Sequence, residues 1–266
     1  MIKIITCPLC QSKNHSLIHK DSHREYLSCS DCRFVFVPKS FHLSETDEKL
    51  RYDTHNNDPS DNRYRHFLSQ LAEPLLQQIP EKSYGLDFGS GPGPTLSLML
   101  EEKGHHVELY DKFYASNDYV FNKRFDFITA TEVIEHLRNP MLEFKRLAST
   151  LRVGGYIALM THLLTEETDF SNWYYKNDPS HIGFFNKESL AYLAKELNFE
   201  VDIYSERVIF FKKLTDSDGC LSFISLAAIV ISGFTPSSCN PSARICESFS
   251  RQGPPTGPGM GRFVRE

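Results

Sequence analysis

Two residue patterns in this chain are suited to chemistry. Cys7-x-x-Cys10 and Cys29-x-x-Cys32 are thiol pairs with eighteen residues between them. Each pair sits on one turn, and two such turns brought together supply the four soft donors of a tetrahedral structural zinc site. The second pattern is LDFGSGPG, where Gly89, Gly91 and Gly93 follow an apolar run and precede a helical one. A glycine turn between strand and helix cradles part of a nucleotide-type cofactor, and the residues around it decide which one.

A dinucleotide fingerprint needs a third glycine at position 94, which is Pro94 here. Asp87 stands two residues before the first glycine, where a carboxylate repels pyrophosphate and favours a cationic group. Asp111 lies twenty-two residues after Gly89, at the end of the next apolar run, where an acid accepts hydrogen bonds from ribose hydroxyls. A nucleoside with a positive, amino-acid-bearing tail satisfies both acids, and S-adenosylmethionine has that description. Asp87, Gly89, Ser90, Gly91, Gly93, Asp111, Thr131 and Glu132 are the expected cofactor-binding residues.

Methyl transfer from a sulfonium needs positioning, and a base when the acceptor is a hydroxyl or carbon acid. Glu132, Glu135 and His136 follow the run 125–131; in a helix starting near Glu132 they share one face. Glu132 and His136 are expected in the catalytic site, whereas Glu135 is equally an acid favoured at a helix N-terminus. His162 and His181 are further candidate bases, each alternatively a surface or hydrogen-bonding histidine; His181 is taken with His136 and Glu132 as the catalytic set. Trp173, Tyr174 and Tyr175 form either an aromatic wall over the acceptor or a packed lid.

The elements that must hold these residues alternate along the chain. Strands are expected over 83–88, 106–111, 125–131 and 154–161, with helices over 63–79, 94–103, the stretch after Asn139 and the stretch after Asn186. FEVDIY and RVIFFKK then read as an antiparallel pair. Such alternation implies a doubly wound, mostly parallel α/β sheet with ligands beyond the carboxyl ends of its strands.

Residues 83–213 resemble a class I S-adenosylmethionine-dependent methyltransferase of small-molecule type. LDFGSGPG resembles its first motif, Asp111 its ribose acid, FDFITATEVIEHL its fourth motif, and LRVGGYIALMT its fifth-strand motif. The resemblance implies a seven-stranded Rossmann-like sheet and a small-molecule acceptor such as a sugar or quinone. One departure is the short stretch from Asp111 to Asp126, which leaves room for a short strand around Tyr119, with Asp118 as the adenine-contacting acid.

The chain has 266 residues, a net charge of −5 and 40% hydrophobic content, which gives no global attraction to nucleic acid. The ribbon's Lys3, Lys13, Lys20, Arg24, Arg33 and Lys39 nevertheless make RNA the alternative acceptor, and a non-catalytic interaction module the alternative to an enzyme. The run 220–234 is shorter than the roughly twenty apolar residues of a membrane span. No export signal is visible at the start, so a reducing cytoplasm is expected. The expected organisation is a zinc-ribbon-like domain at 1–40, a linker or cap at 41–62, the cofactor-binding domain at 63–214 and a low-complexity, disordered tail at 215–266. Cofactors are S-adenosylmethionine and structural zinc.

Overall fold

Both cysteine pairs fold into the same turn. The Cys7 amide donates to the Ser12 carbonyl and the Gln11 amide to the Cys7 carbonyl; Cys29, Phe34 and Arg33 repeat both bonds. Gln11 and Arg33 occupy the left-handed region, at φ 63° and 62°. Strands β1 (His15–Lys20) and β2 (Glu25–Cys29) pair antiparallel between the two turns, and β3 (Val35–Phe36) extends the sheet. The computed structural model describes residues 4–54 and 57–216.

The charged connector is folded. Helix α1 (Glu45–Tyr52) starts at Ser44, whose hydroxyl accepts from the Asp47 amide. Helix α2 (Asn62–Leu76) starts at Asp61, which caps Arg63, and buries Leu68, Leu71, Ala72 and Leu75 on one face.

The alternation then unfolds as expected: β4 (Tyr84–Phe88), α3 (Thr95–Glu101), β5 (His106–Tyr110), β6 (Phe125–Thr131), α4 (Pro140–Thr150) and β7 (Leu151–Met160). After the aromatic connection come β8 (Gly183–Phe184), α5 (Lys187–Leu197), β9 (Phe199–Ile203) and β10 (Val208–Lys213). Asn186 and Ser189 form a reciprocal capping box for α5, and Asn198 ends that helix in the left-handed region. The main sheet runs β5-β4-β6-β7-β10-β9, with β4, β5, β6 and β7 parallel and β10 antiparallel to both neighbours.

This doubly wound, mostly parallel α/β sheet has six strands among the described residues, one fewer than expected. The missing strand would have come from the stretch between Asp111 and Asp126. Residues Asp118–Asn122 form a single 3-10 turn that buries Val120 and exposes Tyr119. Fifteen residues are too few for a crossover helix and another strand. Among the described residues no helix is long and apolar enough to cross a membrane. The run 220–234, Cys239, Cys246 and all but two residues of the expected tail lie outside the described residues.

The ribbon is joined to the main fold by backbone pairing. β3 pairs with β8, matching Val35 with Phe184 and Phe36 with Gly183. Tyr26, Val35 and Val37 share an apolar cluster with Trp173, Tyr175, Ile182 and Phe184. Arg24 is buried at this junction. Its guanidinium donates to the carbonyls of Asp178 (2.7 Å), Pro179 (3.1 Å) and His181 (2.9 Å), to that of Lys176, and to the Tyr26 hydroxyl (2.9 Å). Buried carbonyls stripped of a charged donor cost on the order of 1–3 kcal/mol. Arg24→Ala is therefore expected to destabilise the junction by about that amount and to accelerate amide hydrogen exchange across residues 176–184. Unchanged exchange there would show that the pairing of β3 with β8 holds the connection alone.

Candidate functional site

Chain order along the sheet reverses beside β4, which sends one crossover out to β5 and the next back to β6. Their carboxyl ends diverge and leave a crevice. The cleft there measures about 1010 Å³, at the upper end for small-ligand sites. Asp87, Gly89, Ser90, Gly91, Gly93, Asp111, Thr131, Glu132, His136 and His181 all line it. The cofactor-side and acceptor-side residues read from the sequence thus meet in one cavity.

The turn after β4 is held from two sides. Gly89 and Gly91 have φ values of 78° and 65°, and a Cβ at Gly89 would lie 2.4 Å from Val133. A Cβ at Gly93 would meet the Asn57 carbonyl at 2.2 Å, so the close approach at that position comes from the connector. Asp111 accepts from the amides of Gly91 (3.0 Å), Phe113 (2.7 Å) and Tyr114 (3.1 Å). It therefore braces the turn besides facing the cleft. Asp118, expected at the adenine, instead pairs with Arg146 at 2.6 Å, is 76% exposed, and is not part of the cleft wall.

Asp87 is buried at the end of β4 and accepts from the Thr129 hydroxyl at 2.8 Å. Burial pushes its carboxyl up to about 6; the Thr129 hydrogen bond opposes this and the Asp111 charge adds to it. Ser90 Oγ, Thr131 Oγ1 and Glu132 Oε1 are buried on the same wall without a hydrogen-bond partner among the described residues. Arg207 Nη1 approaches Glu132 Oε1 to 3.6 Å, an ion pair too long for a hydrogen bond.

No helix begins at Glu132. That residue turns into the left-handed region at φ 53°, and Ile134–His136 form a 3-10 turn before α4 starts at Pro140. Tight winding places Glu135 inward and His136 on the cleft wall. Glu135 is fully buried, accepting from Tyr175 (2.5 Å) and Thr161 (3.0 Å). Burial pushes its carboxyl up to about 7 against those bonds. Glu132 rises to about 8 through burial and the neighbouring Glu135 charge.

His136 Nδ1 lies 2.9 Å from the Ser180 carbonyl, and His181 Nδ1 lies 2.7 Å from the Tyr175 carbonyl. A carbonyl only accepts, so each Nδ1 carries the proton and each neutral ring presents a lone pair at Nε2. The rings meet edge to face at 4.7 Å. Burial lowers the pKa of both; His181, also facing His136, falls to about 3, which makes it a weak proton acceptor. His162 is outside the cleft wall, against the Tyr174 hydroxyl and Arg207. Trp173 is packed in the core against Phe170 and Phe184, whereas Tyr174 and Tyr175 line the cleft.

Several wall residues escaped the sequence reading: Arg51, Tyr52, Asn57, Tyr64, Arg138 and Arg207. Most come from α1, α2 and the connector. Helix α1 is held over the cleft by Arg51–Asp178 and Glu48–Arg138 pairs, both 2.8 Å, and by Tyr114 donating to Asp53 at 2.5 Å. The four cysteine sulfurs lie within 4.8 Å of one another, with Cys7–Cys32 at 3.6 Å and Cys10–Cys29 at 3.5 Å. Tetrahedral zinc at ~2.3 Å from each sulfur needs separations of about 3.8 Å, so the cluster is compatible with a zinc ribbon.

Residues 60–203, more than half of the chain, match the family described as Methyltransferase domain. No curated protein matches the chain. Similar solved structures include a SAM-dependent methyltransferase from Thermotoga maritima, at 18% identity and TM-score 0.39, covering 64% of this chain and 96% of that one. Another is 1,6-didemethyltoxoflavin-N1-methyltransferase of Burkholderia thailandensis with bound 1,6-didemethyltoxoflavin and S-adenosylhomocysteine, at 14% identity and TM-score 0.45, covering 76% and 100%. Human N-acetylserotonin methyltransferase in complex with SAM is similar at 13% identity and TM-score 0.45, covering 57% and 55%.

Asp87 offers a pH test. Its raised folded-state pKa means that the protonated form contributes stability fully present below the unfolded value and lost as pH rises through about 6. Relative to Asp87→Asn, which stays neutral and keeps an acceptor for Thr129, the ligand-free wild type is expected to lose up to about 3 kcal/mol between pH 4 and 8. Urea denaturation of both proteins across that range measures the difference; parallel curves would mean that Asp87 ionises freely.

Proposed function

The chain belongs to the methyltransferase-domain family, and on that premise we propose that it transfers a methyl group from S-adenosylmethionine to a small-molecule acceptor. The observation that carries the cofactor is the cleft wall itself. Three buried polar atoms, on Ser90, Thr131 and Glu132, await partners there. Two carboxyls on the same wall, Asp87 and Glu132, are held towards neutrality by burial. A ligand bearing an ammonium and a sulfonium restores their ionisation; a pyrophosphate does the opposite. Asp111 retains acceptor capacity for ribose hydroxyls beyond the three amides it accepts from.

S-adenosylmethionine supplies an electrophilic methyl carbon. The chain's own residues align the acceptor with it and exclude water. Asp87, Glu132 and Asp111 would hold the cofactor, which would give up its methyl carbon to an acceptor lone pair with the carbon–sulfur pair left on sulfur as S-adenosylhomocysteine. A proton released from a hydroxyl acceptor passes to Glu132, the strongest base of the group it forms with His136 and His181, since burial lowers the pKa of both imidazoles. Tyr174 and Tyr175 from the connection and Tyr52 from α1 enclose that end, leaving a space suited to a small acceptor.

Zinc at Cys7, Cys10, Cys29 and Cys32 would hold the ribbon whose Arg24 positions the connection. A role for the ribbon in gripping RNA has less support. Arg24 is buried on backbone carbonyls and so offers no free charge to phosphate.

Calorimetric titration of S-adenosylhomocysteine into zinc-loaded protein tests this reading. Binding in the micromolar range is expected, weakened at least about tenfold in Asp111→Ala, a loss of about 1.4 kcal/mol or more. Folded, zinc-loaded protein that binds neither S-adenosylhomocysteine nor S-adenosylmethionine would overturn it.

A further inference from the structure

The acceptor end of the cleft holds more donor chemistry than proton transfer requires. Ligand atoms of Glu135, His136 and His181 all lie within 4.8 Å of one another, with Glu135 Oε1 and His136 Nε2 3.9 Å apart. We propose that these three residues bind one divalent first-row transition-metal cation, distinct from the cysteine ribbon, whose open positions take the acceptor's oxygen. The acceptor role rests on the function proposed above; the metal site itself does not.

The cluster is prepared for a metal in three ways. Both imidazoles have Nδ1 fixed on a backbone carbonyl, of Ser180 and of Tyr175. That arrangement selects the tautomer with a free Nε2 and orients the ring, as the outer hydrogen bonds of metal-bound histidines do. Glu135 is oriented likewise. Tyr175 binds one of its oxygens and Thr161 the other, and each oxygen keeps a second lone pair. Finally, His181 is placed by the ribbon, because its carbonyl accepts from Arg24 at 2.9 Å.

Metal–ligand bonds of ~2.1 Å put adjacent donors about 3 Å apart and opposite donors about 4 Å apart. The present separations reach that range with side-chain movements of about an ångström. Two imidazoles and a carboxylate suit manganese, iron, cobalt or zinc, whereas magnesium and calcium prefer oxygen throughout. Three protein ligands leave positions open, and His136 and His181 both face the cleft. An acceptor hydroxyl bound there is acidified by the cation. Its proton goes to Glu132, which stands outside the ligand set and shares the Tyr175 hydroxyl with Glu135. The acceptor oxygen then forms the bond to the methyl carbon as the carbon–sulfur bond breaks towards sulfur.

Manganese titration of protein holding one zinc per chain, at the cysteine ribbon, followed by the EPR signal of free Mn2+, provides the test. One Mn2+ per chain is expected, with ribbon zinc retained, and His136→Ala and His181→Ala should each weaken binding at least about tenfold. Pulsed EPR of the bound ion in the wild type should show nitrogen couplings from directly bound imidazole, which keeps the test valid if a variant fails to fold. The proposal falls if folded protein takes up neither Mn2+ nor Co2+, if the couplings are absent, or if both variants bind as tightly as wild type. S-adenosylhomocysteine titration of the same samples separates the two readings: a metal site without cofactor binding sinks the methyl donor alone, and the converse sinks the metal alone.

Discussion

Arg24 carries one positive charge into the boundary between the ribbon and the aromatic connection, and spends it on backbone carbonyls from Lys176 to His181. Loop carbonyls away from water need donors, and a guanidinium supplies five in a fixed plane. The backbone held this way carries Tyr175, Ser180 and His181. Tyr175 reaches Glu132, Glu135 and Thr161; Ser180 orients His136; His181 packs its ring against both Tyr175 and His136. The histidine end of the cleft is thus assembled from the ribbon outwards. The ribbon thereby fixes a segment with little regular structure of its own.

The electrostatics of the cleft follow from the same burial. Asp87, Glu132 and Glu135 are carboxyls in low-dielectric surroundings, and all three have raised pKa values. The histidines beside them are driven towards neutrality. A wall of carboxyls whose ionisation burial opposes favours a cation, since each incoming positive charge recovers part of the desolvation cost. Arg207 is the protein's own answer at Glu132, reaching in from the hairpin between β9 and β10 without closing to hydrogen-bond distance.

Local pattern carried the secondary structure far. Apolar runs located β4, β5 and β6, Asn186 marked the start of α5, and two matching Cys-x-x-Cys spacings produced two matching turns. The errors arose where local pattern underdetermines the backbone. A helix starting near Glu132 would set Glu132, Glu135 and His136 on one face, but the left-handed Glu132 directs Glu135 inward, towards its buried partners Tyr175 and Thr161. Asp118 had a suitable charge and a suitable position in the chain, yet a short 3-10 turn brings it to Arg146 at the surface.

The residue order alone therefore established the α/β alternation, the glycine turn with its two acids, and the four-cysteine cluster. Each depends on spacings within one turn or on the period of an element, which covalent geometry and steric limits constrain directly. The membership of Asn57, Tyr175 and Arg207 in the cleft, the tautomers of His136 and His181, and the docking of the ribbon on β8 were settled by folding. Those features join segments such as Arg24 and His181, 157 residues apart. Their pairing depends on which surfaces bury one another and on which buried polar groups must then be satisfied, and no short spacing records either.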